Sequence, residues 1–254
     1  MVTAMNSVLN VLPPKARYRV SVLANIARDN MQRSRLVCGP PIKTMNVRRV
    51  VAVHFPKAGG SSLVQQFGAA LKSQMAIDYS GDPLAGPSGP RAFPAGKSMI
   101  IGHFRPDRYD TSDAFRMTFL RHPVTNVIST YFFLKTVPDR GHPMHHRFLR
   151  DCPSLIEFAR DDRIRYLMSR TYFGDFDMKR MDFIGFNESR AQDLERLSGL
   201  LGITLSANVH INKTDFGDAY PAAQNDQRLR SELVDILKDD MIFYDRMRGL
   251  RTAL

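Results

Sequence analysis

The sequence predicts an α/β fold, a three-layer arrangement in which a central, mainly parallel sheet is flanked by helices. Two observations carry that expectation. Strand–loop–helix units recur along the chain without an internal repeat. Three predicted strand ends also carry polar signatures, at Lys57, His103 and Arg121, and ligands of parallel α/β folds bind at the carboxyl ends of strands. A length of 254 residues suits one large domain or two small ones and is enough to bury a core.

The elements follow in order. Val47 to His54 forms a buried strand, because Val50, Val51, Ala52 and Val53 are consecutive. Phe55 to Gly60 is a loop. Ser61 to Leu71 has helical spacing, with Leu63, Phe67, Ala70 and Leu71 on one face and Ser61 or Ser62 as the cap. Residues 80–97 are rich in Gly and Pro and make a long loop. Ser98 to Ile101 is a short strand ending at Gly102-His103, and Phe115 to Leu120 is another, ending at Arg121-His122-Pro123. Val124 to Leu134 continues as a helix with Pro123 in its first turn. Residues 135–152 form a polar loop with His142, His145 and His146, and Leu155 to Met168 is a helix. Asp182 to Phe186 is a strand, and Glu188 to Leu201 is an amphipathic helix through Leu194, Leu197, Leu200 and Leu201. A loop carrying His210 to Thr214 precedes a last helix from Gln227 to Met247.

Charge narrows the classes of partner. The formal net charge is +11, from 36 Lys and Arg against 25 Asp and Glu. Residues 1–50 hold nine basic residues and one acid, Asp29, a net +8; the other 204 residues are only +3. The division is therefore a basic N-terminal extension, residues 1–44, followed by a single domain, residues 45–254. The extension reads as an unstructured segment or peripheral helix, as an arm for anionic surfaces such as a membrane periphery, or as a targeting peptide. Its best apolar stretch, Val20 to Ile26, is too short for a secretory signal, and Met31 and Met45 are alternative starts. No apolar run approaches the roughly 18 residues needed to span a membrane. Two cysteines, Cys38 and Cys152, exclude a disulfide scaffold or a Cys-rich zinc module. A cytoplasmic location, with membrane association through the extension, fits this composition. Nucleic-acid binding ranks last, because no fold motif or aromatic interleaving accompanies the basic arm.

The segment His54-Phe55-Pro56-Lys57-Ala58-Gly59-Gly60-Ser61-Ser62-Leu63 joins a strand to a helix. Two glycines allow close backbone approach, and the helix N-terminus offers N–H groups and a positive dipole end to an anion. Ser61 and Ser62 add hydroxyls and Lys57 a cation, a set suited to phosphate or sulfate. The GxxxxGK[ST] order of a nucleotide triphosphatase is absent, because Lys57 precedes the glycines. His103 follows a strand and a glycine and is expected to point into the strand-end cleft, where a neutral imidazole is a reasonable general base; for an isolated Gly-His pair, a histidine bonded to the backbone is the favoured alternative. His142, His145 and His146 lack a carboxylate or Cys pattern to complete a metal set and read as a solvated loop.

The stretch HFPKAGGSSL resembles the 5′-phosphosulfate loop of the carbohydrate sulfotransferases, the group that includes heparan 2-O-sulfotransferases and related bacterial enzymes. Four further segments match in order. They are Ile100 to Phe104, the FLRHPVTNVISTYFF stretch from Phe119 to Phe133, Phe183 to Glu188, and His210 to Thr214. The resemblance implies a P-loop-like fold and transfer of a sulfuryl group from 3′-phosphoadenosine-5′-phosphosulfate (PAPS) to a hydroxyl of a carbohydrate or glycoconjugate, without a metal. It implies that Lys57, Ala58, Gly59, Gly60, Ser61 and Ser62 hold the 5′-phosphosulfate, with Lys57 stabilising the leaving oxygen. It also implies Arg121 and Ser129 at the 3′-phosphate, His103 as the base, and Lys213 and Thr214 over the nucleotide. Departures from the family pattern are Ala58 for Thr, His122 for Asp, Asn126 for Arg and Asn187 for Thr. They motivate a rival reading, a nucleotide- or anion-binding protein of the same fold without catalysis. A P-loop kinase is a weaker alternative, since no Walker B pattern accompanies the loop.

Overall fold

The computed structural model describes residues 41, 43–109, 111–139, 141–209 and 216–251. Five strands form its sheet: β1 (Val50–Val53), β2 (Met75–Asp78), β3 (Met99–Gly102), β4 (Phe115–Leu120) and β5 (Phe183–Phe186). Their order across the sheet is β2-β3-β1-β4-β5, and every neighbouring pair is parallel. The expected three-layer α/β architecture is therefore present, and its sheet is wholly parallel. Every residue of β1, β3 and β5 is buried, as expected for strands covered by helices on both faces.

Helices α1 (Gly60–Leu71), α2 (Pro123–Thr136), α3 (Pro143–Asp151), α4 (Leu155–Arg160) and α5 (Asp162–Arg165) follow in the chain. A π-helical turn spans Leu167–Tyr172. Helices α6 (Arg190–Leu201), α7 (Ala219–Asn225), α8 (Gln227–Ile236) and α9 (Lys238–Arg251) complete the order. Among the described residues no helix is long and apolar enough to cross a membrane.

The strand C-termini line up. Val53 pairs with Gly102 and Thr118, Asp78 with Gly102, and Leu120 with Phe186. The chain leaves β1 toward β2 on one side and leaves β4 toward β5 on the other. The crevice between β1 and β4 is thus a topological switch point, where the loops after the strands diverge, the place at which ligands of such folds bind. Lys57 follows β1 and Arg121 follows β4, so both flank it.

Several expectations are corrected. The first strand covers Val50–Val53 and not residues 47–54. Strand β2 was not anticipated: its four residues, MAID, end on a buried acid. Residues 135–152 are not simply a loop, because Pro143–Asp151 is helical, with Pro143 in its first turn and Met144, His145 and Phe148 buried. The helix expected over residues 155–168 breaks at Asp161, whose side chain accepts the Arg163 N–H, and ends in the π turn. The last predicted helix divides at Leu237. Of the extension, only residues 41, 43 and 44 lie within the described set.

Candidate active site

The loop after β1 is shaped by donors that take its carbonyls one after another. Asn126, from the first turns of α2, donates to the Pro56 carbonyl at 2.7 Å. Arg121 donates to the Lys57 carbonyl at 3.1 Å. Arg190, the first residue of α6, donates to the Ala58 carbonyl at 3.3 Å and the Gly59 carbonyl at 3.0 Å. In a planar trans peptide the N–H points opposite to the C=O. The Gly59 and Gly60 N–H groups therefore point away from Arg190. The cap of α1 is Gly59, in the left-handed region, and no side chain caps the helix; neither Ser61 nor Ser62 fills the expected role. An uncapped helix N-terminus with aligned N–H groups suits an anion.

Both glycines are needed where they stand. Gly59 has φ +81, and a Cβ there would lie 2.4 Å from the Arg190 guanidinium. A Cβ on Gly60 would lie 1.9 Å from the His54 ring. Overpacking a site of this kind costs about 1–3 kcal/mol. Gly60→Ala is expected to lower stability by about 2 kcal/mol, and by clearly less when His54 is also Ala. Thermal unfolding of the four proteins of that cycle measures the coupling, and an equal penalty in both backgrounds contradicts the packing described here.

Lys57 itself has φ +56, a conformation that costs a residue with a Cβ roughly 1–2 kcal/mol. Its Nζ lies 3.9 Å from the centroid of the Phe133 ring and 5.8 Å from that of Phe216. Burial, with repulsion from Arg121 added, pulls the ammonium down to about 8. Ala58 is buried. Ser61 is exposed, whereas the Ser62 hydroxyl donates to the Gly59 carbonyl at 3.0 Å and accepts from Arg190. Ser62 thus serves the loop's own shape.

Arg121 donates one further bond, to the Tyr220 hydroxyl at 3.5 Å. Ser129 lies two turns along α2 and is buried, at 2% exposure. The structure places these two residues on one strand–helix junction, with the bonds of Arg121 going to Lys57 and Tyr220. Lys213 and Thr214 lie outside the described residues. The Phe216 and Tyr220 rings, 4.7 Å apart, follow that segment and reach Lys57 and Arg121.

His103 sits at the end of β3 beside this loop. Its ring lies 4.6 Å from that of His54 and 4.6 Å from that of Tyr79, edge to face in both cases. His54 in turn contacts the Tyr79 hydroxyl through Nδ1 at 3.1 Å. The partner that the sequence did not reveal is Asp82. Its Oδ2 lies 3.1 Å from His103 Nδ1, while its Oδ1 accepts from the Tyr172 hydroxyl at 3.0 Å and the Leu84 N–H at 2.9 Å. Burial alone would raise the Asp82 carboxyl; hydrogen bonding from His103 and the close approach of His142 outweigh it and hold the group below the usual carboxylate range. An ionised Asp82 keeps the proton of a neutral His103 on Nδ1. That leaves Nε2 as the basic atom, and Nε2 is buried with no hydrogen-bond partner among the described residues.

A second buried network secures the segment that carries Asp82. Asp78, at the end of β2, accepts from Arg108 Nε at 2.8 Å and the Tyr109 hydroxyl at 2.6 Å. Burial opposes ionisation, but bonds from Ser80, Tyr109 and Arg108 prevail and hold the Asp78 carboxyl at about 2. Glu188, after β5, accepts the His122 N–H and the Tyr244 hydroxyl, both at 2.8 Å. It therefore complements the N-terminus of α2, not that of its own helix.

The three histidines expected in one solvated loop go to separate places. His142 lies 3.3 Å from Asp82, His145 is buried on the Leu134 carbonyl at 2.8 Å, and His146 pairs with Asp139 at 3.0 Å. Among the described residues no group of three or more His, Cys, Asp or Glu is arranged to hold a metal ion. Arg190 was also missed, though a signal existed: a basic residue opening a helix opposes the macrodipole and calls for another partner.

The fold and site together define a parallel α/β protein with a glycine loop at its switch point and an Asp–His pair formed by the segments after β2 and β3. No family model matches the chain, and no curated protein matches it in sequence.

Proposed function

We propose that the protein transfers a sulfuryl group from PAPS to a hydroxyl of a carbohydrate or glycoconjugate. One observation carries the reading: the loop after β1, with its four successive carbonyls turned onto Asn126, Arg121 and Arg190, adjoins a histidine ordered by a buried carboxylate. The donor would supply an activated sulfuryl group attached to a good phosphate leaving group. The fit is supported by the uncapped N-terminus of α1, the Gly59 and Gly60 N–H groups and the Lys57 ammonium, which together offer donors to one anion. Arg121, across the switch point, offers a guanidinium to a second.

The chemistry asked of these residues is positioning and charge stabilisation. His103 Nε2 accepts the proton of the acceptor hydroxyl as its oxygen bonds to sulfur. Lys57 Nζ faces the negative charge that grows on the bridging oxygen as the S–O bond breaks, and the electron pair leaves with the phosphate. Asp82 stabilises the imidazolium formed on His103.

The depressed Lys57 ammonium gives a pH-dependent test. Below about 8 the amine is charged; as pH rises through about 8 it becomes neutral. An anion in the loop favours the charged form, so binding above pH 8 takes up protons and weakens with rising pH. Calorimetry with adenosine 3′,5′-bisphosphate between pH 7.5 and 9.5, in buffers of different ionisation enthalpy, is expected to show falling affinity with net proton uptake. Lys57→Arg removes the uptake. Affinity independent of pH, with no proton uptake, contradicts a place for Lys57 at the anion.

A further inference from the structure

Asp82 is a buried carboxylate approached by two imidazoles and by no arginine or lysine among the described residues. His103 Nδ1 is 3.1 Å from Oδ2, and His142 Nε2 is 3.3 Å from the same oxygen. The two contacts differ in kind. His103 is aligned as a hydrogen-bond partner, whereas His142 Nε2 is buried and lacks an aligned bond, so that its proximity is that of an ion pair. His142 comes from the connection between α2 and α3, just ahead of Pro143. A buried carboxylate needs a compensating charge. If His103 supplied it, His103 would be an imidazolium and useless as a base. Two adjacent imidazolium rings on one carboxylate would also repel each other.

We propose that the two imidazoles divide these tasks: His142 is the positively charged counter-ion of Asp82, and this leaves His103 neutral, protonated on Nδ1 and basic at Nε2. His142 is thus a positioning residue, acting on the reaction through Asp82. The ionisable groups around the pair are Tyr172 on Asp82 Oδ1, the rings of Tyr79 and His54 against His103, and, on the side of His142's own connection, Asp139, which is engaged by His146. Of the two imidazoles, His142 has the more exposed side chain, 30% against 23% for His103, so its charge is the less costly to solvate. The role assigned to His103 rests on the sulfuryl-transfer reading, whereas the division of charge does not.

Nitrogen-15 NMR of the imidazoles in the full chain at pH 7 tests the proposal directly. Wild type is expected to show His142 protonated on both nitrogens and His103 on Nδ1 alone. In His142→Ala the positive charge moves to His103, and transfer at pH 7 falls about tenfold, recovering at higher pH. His142→Lys restores a neutral His103, whereas His142→Gln, which keeps a donor without the charge, does not. A neutral His142 in wild type, or a neutral His103 in His142→Ala, overturns the proposal. Sulfuryl transfer by wild type is scored separately. The proposed charges without transfer uphold the ion pair and remove the sulfotransferase reading; transfer with a neutral His142 does the reverse.

Discussion

On the sulfuryl-transfer reading proposed above, replacing Lys57 with alanine is expected to lower transfer about 100- to 1000-fold, the usual consequence of deleting one preorganised electrostatic donor. The expected loss falls on the chemistry and not on the fold. Lys57 holds φ +56, and alanine bears the same backbone penalty there. The amine leaves its place over Phe133, forfeiting a cation–π contact of about 0.5–2 kcal/mol. Against that, a buried and electrostatically disfavoured ammonium is removed. Unfolding of Lys57→Ala should therefore stay near wild type. Lys57→Gly should be more stable than Lys57→Ala by about 1 kcal/mol, because glycine adopts this conformation without strain, and equally slow. Steady-state transfer rates and thermal unfolding of the three proteins measure both effects. A rate within tenfold of wild type in Lys57→Ala contradicts the role given to the ammonium.

The second large effect is expected at Asp82. Asp82→Asn is nearly isosteric, so packing is preserved while the hydrogen-bond logic inverts. The amide oxygen is best spent on the Tyr172 hydroxyl and Leu84 N–H, which now bond Oδ1. The amide nitrogen then faces His103 Nδ1. A donor facing a donor forces His103 into the tautomer with its proton on Nε2, where no acceptor hydroxyl can be deprotonated. Amidation of the carboxylate in a Ser-His-Asp triad lowers kcat by about four powers of ten for this reason, and a loss of about 1000-fold or more in kcat is expected here, with the donor KM little changed. A parallel rise in donor KM, or a wild-type kcat, would show that Asp82 serves only the fold.

The legibility of this molecule in its sequence follows from where each signal is local. The run Val50 to Val53, the Lys-Ala-Gly-Gly-Ser-Ser loop and Pro123 at the start of α2 are local patterns, and each marks its element. The architecture and the positions of Lys57, His103 and Arg121 at strand ends follow from them. Strand β2 is four residues long and closes on an acid, so it offers neither alternation nor an apolar run. Helix α3 opens with Pro and carries two histidines and two arginines, which conceal its buried face of Met144, His145 and Phe148. The partners of the site were hidden for a different reason. Asp82 meets His103 across 21 residues, and Arg190 meets Gly59 across 131. Such pairings arise only when the sheet order brings β2 beside β3 and the fold brings the start of α6 to the loop after β1. No spacing in the chain encodes them.

On the sulfuryl-transfer reading, the switch-point loop and the Asp82–His103 pair act on one transferred group. Incubation of the full chain with sulfur-labelled PAPS and a panel of glycans tests it most directly. Label on an acceptor hydroxyl is expected, with one adenosine 3′,5′-bisphosphate formed per transfer and loss of both in Lys57→Ala and His103→Ala. Absence of transfer to any acceptor, together with no binding of adenosine 3′,5′-bisphosphate, would contradict it.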